Sequence, residues 1–203
     1  MAITVGDRID NVIKDMDLKK YDHALSEVCI AIDLSAKKHY GLQRSSRRAY
    51  QKFLQENMWI ILVTAFGGVI ASGIKIPFQH ADLESDEQGY CTLEQIVYFV
   101  MRCGFVHGTG EDSKIVWNPR VQLEIDSSGQ LQLTPSFIWG LVVAVVACKE
   151  NINERVGDTA WIQTMTFKYL VNDLWGKESS LYNMVKSQFG IVYQPKPEIV
   201  NQS

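Results

Sequence analysis

The stretch from Ser136 to Cys148 (SFIWGLVVAVVAC) contains no charged residue and is apolar on almost every side of a helix. Such a helix has to be enclosed by other elements, because no face of it is suited to water. Thr134-Pro135 just before it places a capping residue ahead of a proline at the first helical position. A central helix is therefore expected from Ser136 to about Arg155, with the rest of the chain wrapped around it.

The wrapping elements are legible as helical periodicity. Ile9, Val12, Ile13 and Met16 fall at helical spacing between Asp7 and about Leu18. Leu25, Val28, Cys29, Ile32 and Ala36 form one stripe over Tyr21 to His39, with Asp22 as a candidate cap and Gly41 as the terminator. Ser45 or Ser46 can cap the next helix, which runs to about Phe66. Residues 75 to 91 read as an acidic loop. Thr92-Leu93-Glu94-Gln95 then matches a capping box, followed by a buried stripe of Leu93, Ile96, Val97, Val100 and Met101. Val121, Leu123 and Ile125, then Leu131 and Leu133, alternate with polar residues around the turn Asp126-Ser127-Ser128-Gly129, which predicts a β-hairpin. Two more helices are expected near Thr159 to Trp175 and Lys177 to Phe189. The fold class expected is mainly α: a helical bundle with an inserted β-hairpin and extra C-terminal helices. Residues 1–156 form the main domain and 157–203 pack on it.

Composition narrows the function classes. The 203 residues include 46% hydrophobic and 21% charged types, and the formal net charge is −3. Coating nucleic acid without selectivity needs an excess of cations that this chain lacks, which leaves room for a local basic cleft. The four cysteines, Cys29, Cys91, Cys103 and Cys148, include no pair at CxxC spacing. A zinc knuckle is not indicated, and reduced thiols in a cytoplasmic protein are expected. The uncharged run from Met58 to Ile74 is interrupted by Gly67-Gly68 and Gly73 and falls short of the ~20 residues that span a bilayer, so no membrane segment is expected. The N-terminus has neither the basic start nor the apolar run of a secretion signal.

The chemically suggestive segment is Arg102-Cys103-Gly104-Phe105-Val106-His107. In an ideal α-helix, residues five apart point ~140° away from each other. Gly104 and Gly108 allow the backbone to loosen and the two side chains to converge. A permanently charged guanidinium beside an imidazole that titrates near neutrality suits chemistry at a phosphodiester. The guanidinium stabilises charge on phosphate oxygens and the imidazole moves the proton. This chemistry needs neither metal nor cofactor, and none is expected. The spacing alone is also met by a helix-terminal Arg pairing an acid and a His near a helix C-terminus.

The wider segment from Tyr98 to Gly108 resembles the Arg-x4-6-His signature of the HEPN superfamily (higher eukaryotes and prokaryotes nucleotide-binding). The helix beginning Asp22-His23-Ala24-Leu25 also looks like a HEPN helix, and the apolar helix from Ser136 stands in the right order. The resemblance spans roughly residues 7 to 155. It implies a four- or five-helix bundle, commonly a homodimer, and in many members a metal-independent endoribonuclease of defence or toxin type. Carried across, Arg102 stabilises the phosphorane and His107 is the acid/base. Active members commonly carry a polar residue, often Asn, after the Arg, where this chain has Cys103. Other members are silent dimerisation or binding modules. The partners implied are a second copy of the chain, RNA, and a protein inhibitor or antitoxin.

Lys37, Lys38, His39, Arg44, Arg47, Arg48 and Lys52 form a stretch without an acid. Its simplest reading is a solvated helix end and helix start. Bordering Arg102, the part with Arg44, Arg47 and Arg48 becomes a candidate for an RNA backbone, and Tyr98, one turn before Arg102, a candidate lining residue. Glu111 and Asp112 are candidate orienting groups for His107. His80 beside Asp82 and Glu84 is more simply a surface residue than a metal ligand. His23 and His39 lie on polar helix faces and need no special role. Trp139, Trp161 and Trp175 read as core or dimer-interface anchors.

Overall fold

The computed structural model describes residues 3–67, 74–79, 83–103, 115–163 and 168–189. Among them the fold is predominantly helical. Helices α1 (Val5–Asp17), α2 (Tyr21–His39) and α3 (Arg47–Phe66) come first. A short α4 (Leu93–Ile96) continues into a π-helical turn, Val97–Cys103. Helices α5 (Ser136–Ala147) and α6 (Glu178–Phe189) follow.

α5 occupies the centre, packed along α3 and against α2, while α1 lies on α2. From Phe137 to Ala147 every residue except Trp139 is buried, as an all-apolar helix requires. α3 answers it with an unbroken buried run from Asn57 to Phe66. The two backbones touch at Gly140, where an added Cβ would stand 2.5 Å from the carbonyl oxygen of Ile61. The uncharged run after Met58 is thus the buried half of α3, closed by Gly67 in the left-handed conformation (φ 68°). No described helix is long and apolar enough to cross a membrane.

Local chemistry sets most of the helix starts. Thr4 caps α1 through a reciprocal capping box with Asp7, and Thr92 caps α4 in the same way with Gln95. Ser46, rather than Ser45, caps α3. Asp22 does not cap α2; its carboxylate accepts a hydrogen bond from Trp117 Nε1 at 2.7 Å, which ties the sheet to the helix start.

Four expectations need correcting. The acidic loop is closed by a small antiparallel ladder of β1 (Lys75–Ile76) and β2 (Cys91–Thr92). The hairpin of β4 (Leu123–Ile125) and β5 (Leu131–Leu133) carries a third strand, β3 (Ile115–Trp117), paired parallel to β5. α5 ends at Ala147, not near Arg155: Cys148 turns extended (ψ 125°), and the buried Asn151 side chain donates to Val145 O (2.9 Å) and Ser35 Oγ (2.8 Å). The segment past α5 is thereby fastened to α2. The described residues between 159 and 175 do not form the expected helix. β6 (Trp161–Gln163) pairs antiparallel with β7 (Lys168–Leu170), and the segment is held to the chain before it by reciprocal hydrogen bonds between Asn172 and Val156. Of the three tryptophans, Trp175 is buried and Trp139 half-buried, whereas Trp161 is exposed beneath Lys168.

The contact of α3 and α5 yields a prediction. Gly140→Ala forces two helix backbones apart and should lower stability by about 1–3 kcal/mol. A urea titration should show an earlier midpoint with little change of slope.

Candidate functional site

The π-helical turn Val97–Cys103 holds two of the residues singled out in the sequence, Tyr98 and Arg102. Such turns are rare and concentrate at functional sites, because they widen the helix and re-aim the side chains on it. The apolar side of the turn explains its position: Val97, Val100 and Met101 are buried. The other side carries Tyr98 and Arg102, both half-buried.

Three elements converge on Arg102. Its guanidinium lies 3.7 Å from Asp33 Oδ2 of α2, with both side chains about one-fifth exposed (21% and 19%). Asp33 is held in place by Ser45, whose hydroxyl donates to the same oxygen at 2.6 Å. Its guanidinium carbon also stands 5.5 Å from the centroid of the Tyr98 ring. The same ring meets the guanidinium of Arg47 at 6.0 Å, and Arg47 stacks closer still on Phe99 at 4.2 Å. Tyr50, fully buried on α3, packs edge-on to Tyr98 at 5.3 Å. Burial pushes the Tyr50 phenol well above its ordinary range, with Cys29 and Asp33 adding to the effect and Arg102 opposing it. The phenol stays protonated at neutral pH, so its hydroxyl is a neutral dipole within electrostatic reach of Asp33 and Arg102.

Arg47 also belongs to an open groove of about 620 Å³. Arg47, Arg48, Gln51 and Lys52 line it from α3, and Thr92, Glu94 and Gln95 from the start of α4. Arg47 and Arg48 are exposed, and successive turns of α3 aim cations along one side. The Tyr98 ring therefore joins the groove to Arg102. Arg44 is exposed in the loop between α2 and α3, outside the groove lining. The rest of the basic stretch is not a single surface. Lys38 pairs with Glu154 at 2.5 Å, and His39 Nδ1 lies 2.9 Å from Glu150 Oε2, so both face the segment after α5. Lys52 is shared between the groove and Glu56, 3.8 Å away.

His107 lies outside the described residues, as do Glu111, Asp112 and His80; the Cys103 side chain is likewise outside them. Periodicity had no means of finding Asp33 or Tyr50. Asp33 looked like one more polar residue on α2, and Tyr50 like one more core aromatic; only the approach of the π turn to both helices gives them a charged neighbour. Arg102 has no set of metal donors around it among the described residues. The donor set that does exist is His39, Cys148 and Glu150, at the C-terminal end of α2.

The Rv1289 family model matches residues 4–199. The uncharacterized protein Rv1289 of Mycobacterium tuberculosis (strain ATCC 25618 / H37Rv) is 23% identical over 192 residues, covering 91% of this chain and 89% of the relative. The uncharacterized protein Mb1320 of Mycobacterium bovis (strain ATCC BAA-935 / AF2122/97) is similar to the same extent. No solved structure matches the chain.

The Asp33–Arg102 pair is partly shielded from water and long for an ion pair. Asp33→Asn, which keeps the size of the side chain, should therefore reduce stability by about 1 kcal/mol. Urea unfolding of the variant beside the parent measures this.

Proposed function

The chain belongs to the Rv1289 family, and we propose that it is a HEPN-like RNA-binding protein whose groove feeds single-stranded RNA to Arg102 and His107. The observation that carries this reading is the shared Tyr98 ring. It links Arg102 to Arg47, one of the three cations that α3 contributes to the groove, with Arg48 and Lys52. Arg47, Arg48 and Lys52 supply charge for the phosphate backbone, and the exposed edge of the Tyr98–Phe99–Arg47 cluster offers flat surfaces on which bases stack. Neither feature needs a strongly basic protein, which agrees with a net charge of −3.

In the enzymatic form of this reading the chain is a metal-independent endoribonuclease of defence or toxin type. The 2′-hydroxyl of the RNA attacks the adjacent phosphorus. His107 takes the proton from that hydroxyl and returns one to the departing 5′-oxygen. Arg102 stabilises the charge that builds on the phosphorane oxygens, leaving a cyclic phosphate end. Asp33 fixes the direction of the guanidinium through one oxygen that Ser45 also holds. A homodimer that brings two such pairs to one cleft, and a protein inhibitor or antitoxin that covers it, belong to the same proposal.

The second reading is a catalytically silent dimerisation or RNA-binding module. The contact that favours it is the Asp33 carboxylate at Arg102, which offsets part of the charge a phosphorane would use.

One assay separates the readings. Purified protein is mixed with end-labelled single-stranded RNA in EDTA, and binding and cleavage are followed together. The enzyme reading expects cyclic phosphate ends that disappear in Arg102→Ala and in His107→Ala. Arg47→Ala and Arg48→Ala should each weaken binding and reduce the slope of log affinity against log salt by about 0.7, the value for one lost phosphate contact on a single strand. Binding without cleavage selects the silent module. If RNA is not bound at all, the groove is not a nucleic-acid surface, the enzyme and RNA-binding forms fall, and the dimerisation module is what is left.

A further inference from the structure

At the C-terminal end of α2, four separate parts of the fold bring titratable groups together. His39 is the last residue of α2, Glu56 lies on α3, Cys148 and Glu150 come from the turn that ends α5, and Glu178 begins α6. Two donors point at one oxygen. His39 Nδ1 is 2.9 Å and Cys148 Sγ 3.2 Å from Glu150 Oε2, and the three donor atoms all lie within 4.8 Å of one another.

We infer that His39, Cys148 and Glu150 form a binding site for a divalent transition-metal ion of zinc type. Nitrogen, sulfur and carboxylate oxygen is the mixed donor set that zinc accepts in tetrahedral geometry. Bonds of about 2.0–2.3 Å to such an ion place the donors roughly 3.5 Å apart. The two short edges of the triangle therefore open by a few tenths of an ångström, and the third, between His39 and Cys148 and within 4.8 Å, closes toward the same length by side-chain rotation. The ion takes the place of the two hydrogen bonds that now converge on Glu150: sulfur binds as thiolate after its proton passes to solvent, and Nδ1 binds through its lone pair. A fourth position is left for water.

The surroundings match what a metal-bound histidine needs. Its other ring nitrogen, Nε2, faces Glu56 Oε2 at 3.7 Å, on the side away from the donor triangle. At that distance, longer than a hydrogen bond, the carboxylate acts on the ring by charge, and a shift of about half an ångström makes it the hydrogen-bonded partner that orients a ligating imidazole. Glu56 is itself oriented by Tyr40, whose hydroxyl donates to it at 2.7 Å. The imidazole is further held edge-on by Tyr40 and Phe53. The ligands from the α5 end are rigid as well, because Asn151, one residue beyond Glu150, is fully buried and bonded to Ser35 and Val145. The charge also calls for a cation. Glu178 stands within electrostatic reach of His39, Glu150 and Glu56, so three carboxylates surround one imidazole, with Lys52 the nearby ammonium on Glu56.

The site is distinct from the Arg102 cluster, and its test involves no RNA, so it stands or falls apart from the ribonuclease reading. Full-length protein, freed of metal by dialysis against chelator, is titrated with Co²⁺ and then with Zn²⁺. One equivalent of cobalt should bind with a thiolate-to-metal charge-transfer band in the near ultraviolet, and zinc should displace it and raise the melting temperature. Cys148→Ser should lose the charge-transfer band. His39→Gln and Glu150→Gln, at solvent-reachable positions, should each weaken cobalt binding by more than about tenfold. Far-ultraviolet circular dichroism confirms that each variant is folded, and the two Gln variants carry the test if Cys148→Ser is not. A titration with no thiolate band, or with binding that survives both Gln variants, overturns the proposal and leaves a hydrogen-bonded cluster.

Discussion

An all-apolar helix has to be surrounded, and the enclosure of α5 organises everything else in the molecule. α3 supplies one wall by burying ten consecutive residues, Asn57 to Phe66, and comes close enough at Gly140 for backbone to meet backbone. α2 supplies another, with Leu25, Val28, Cys29 and Ile32 inside. Interiors packed to this density transmit position accurately. The exits of α5 are therefore placed as firmly as its middle, and both clusters of chemical interest lie where the enclosing helices run out of apolar surface.

α2 is the hub of those clusters. Asp33 reaches Arg102 and Ser45, Lys38 reaches Glu154 and Asn151, and His39 reaches Glu150 and Glu56. Asp33 and His39 are six residues apart, about 9 Å along the axis. Basic residues at the helix end are favoured by its dipole, and here they also meet the acids of the segment after α5. The result is one end of the bundle closed by ion pairs and a neighbouring flank left open as a cationic groove.

The π turn supplies the local distortion that the groove depends on. Its buried side is continuous with α4, and the Thr92 capping box sets where the helix begins. Leu93, Ile96, Val97, Val100 and Met101 all remain in the core, so the added width of the turn is taken up on the side of Tyr98 and Arg102. That side then meets Tyr50 and Arg47 of α3 through rings and guanidinium planes, contacts that tolerate an irregular helix because they need flat surfaces rather than interlocking side chains.

Periodicity and capping chemistry in the sequence determined the parts that depend on neighbours a few positions away. These are the bounds of α2, the Thr92 start, the end of α3 at Gly67, the turn before Gly129, and the fact that α5 is central. Only the tertiary structure decided the rest. Asn151 cuts α5 short because its amide finds Ser35 on α2. Residues 161–163 and 168–170 pair as antiparallel strands although their apolar residues also fit a helix, and β3 exists because β5 has a free edge for it. Asp33 beside Arg102, and Glu150 beside His39, are meetings of residues 69 and 111 positions apart. Local pattern reports the energy of a residue against its own turn or strand, whereas such pairings appear only once the core has been closed and has chosen which surfaces face each other.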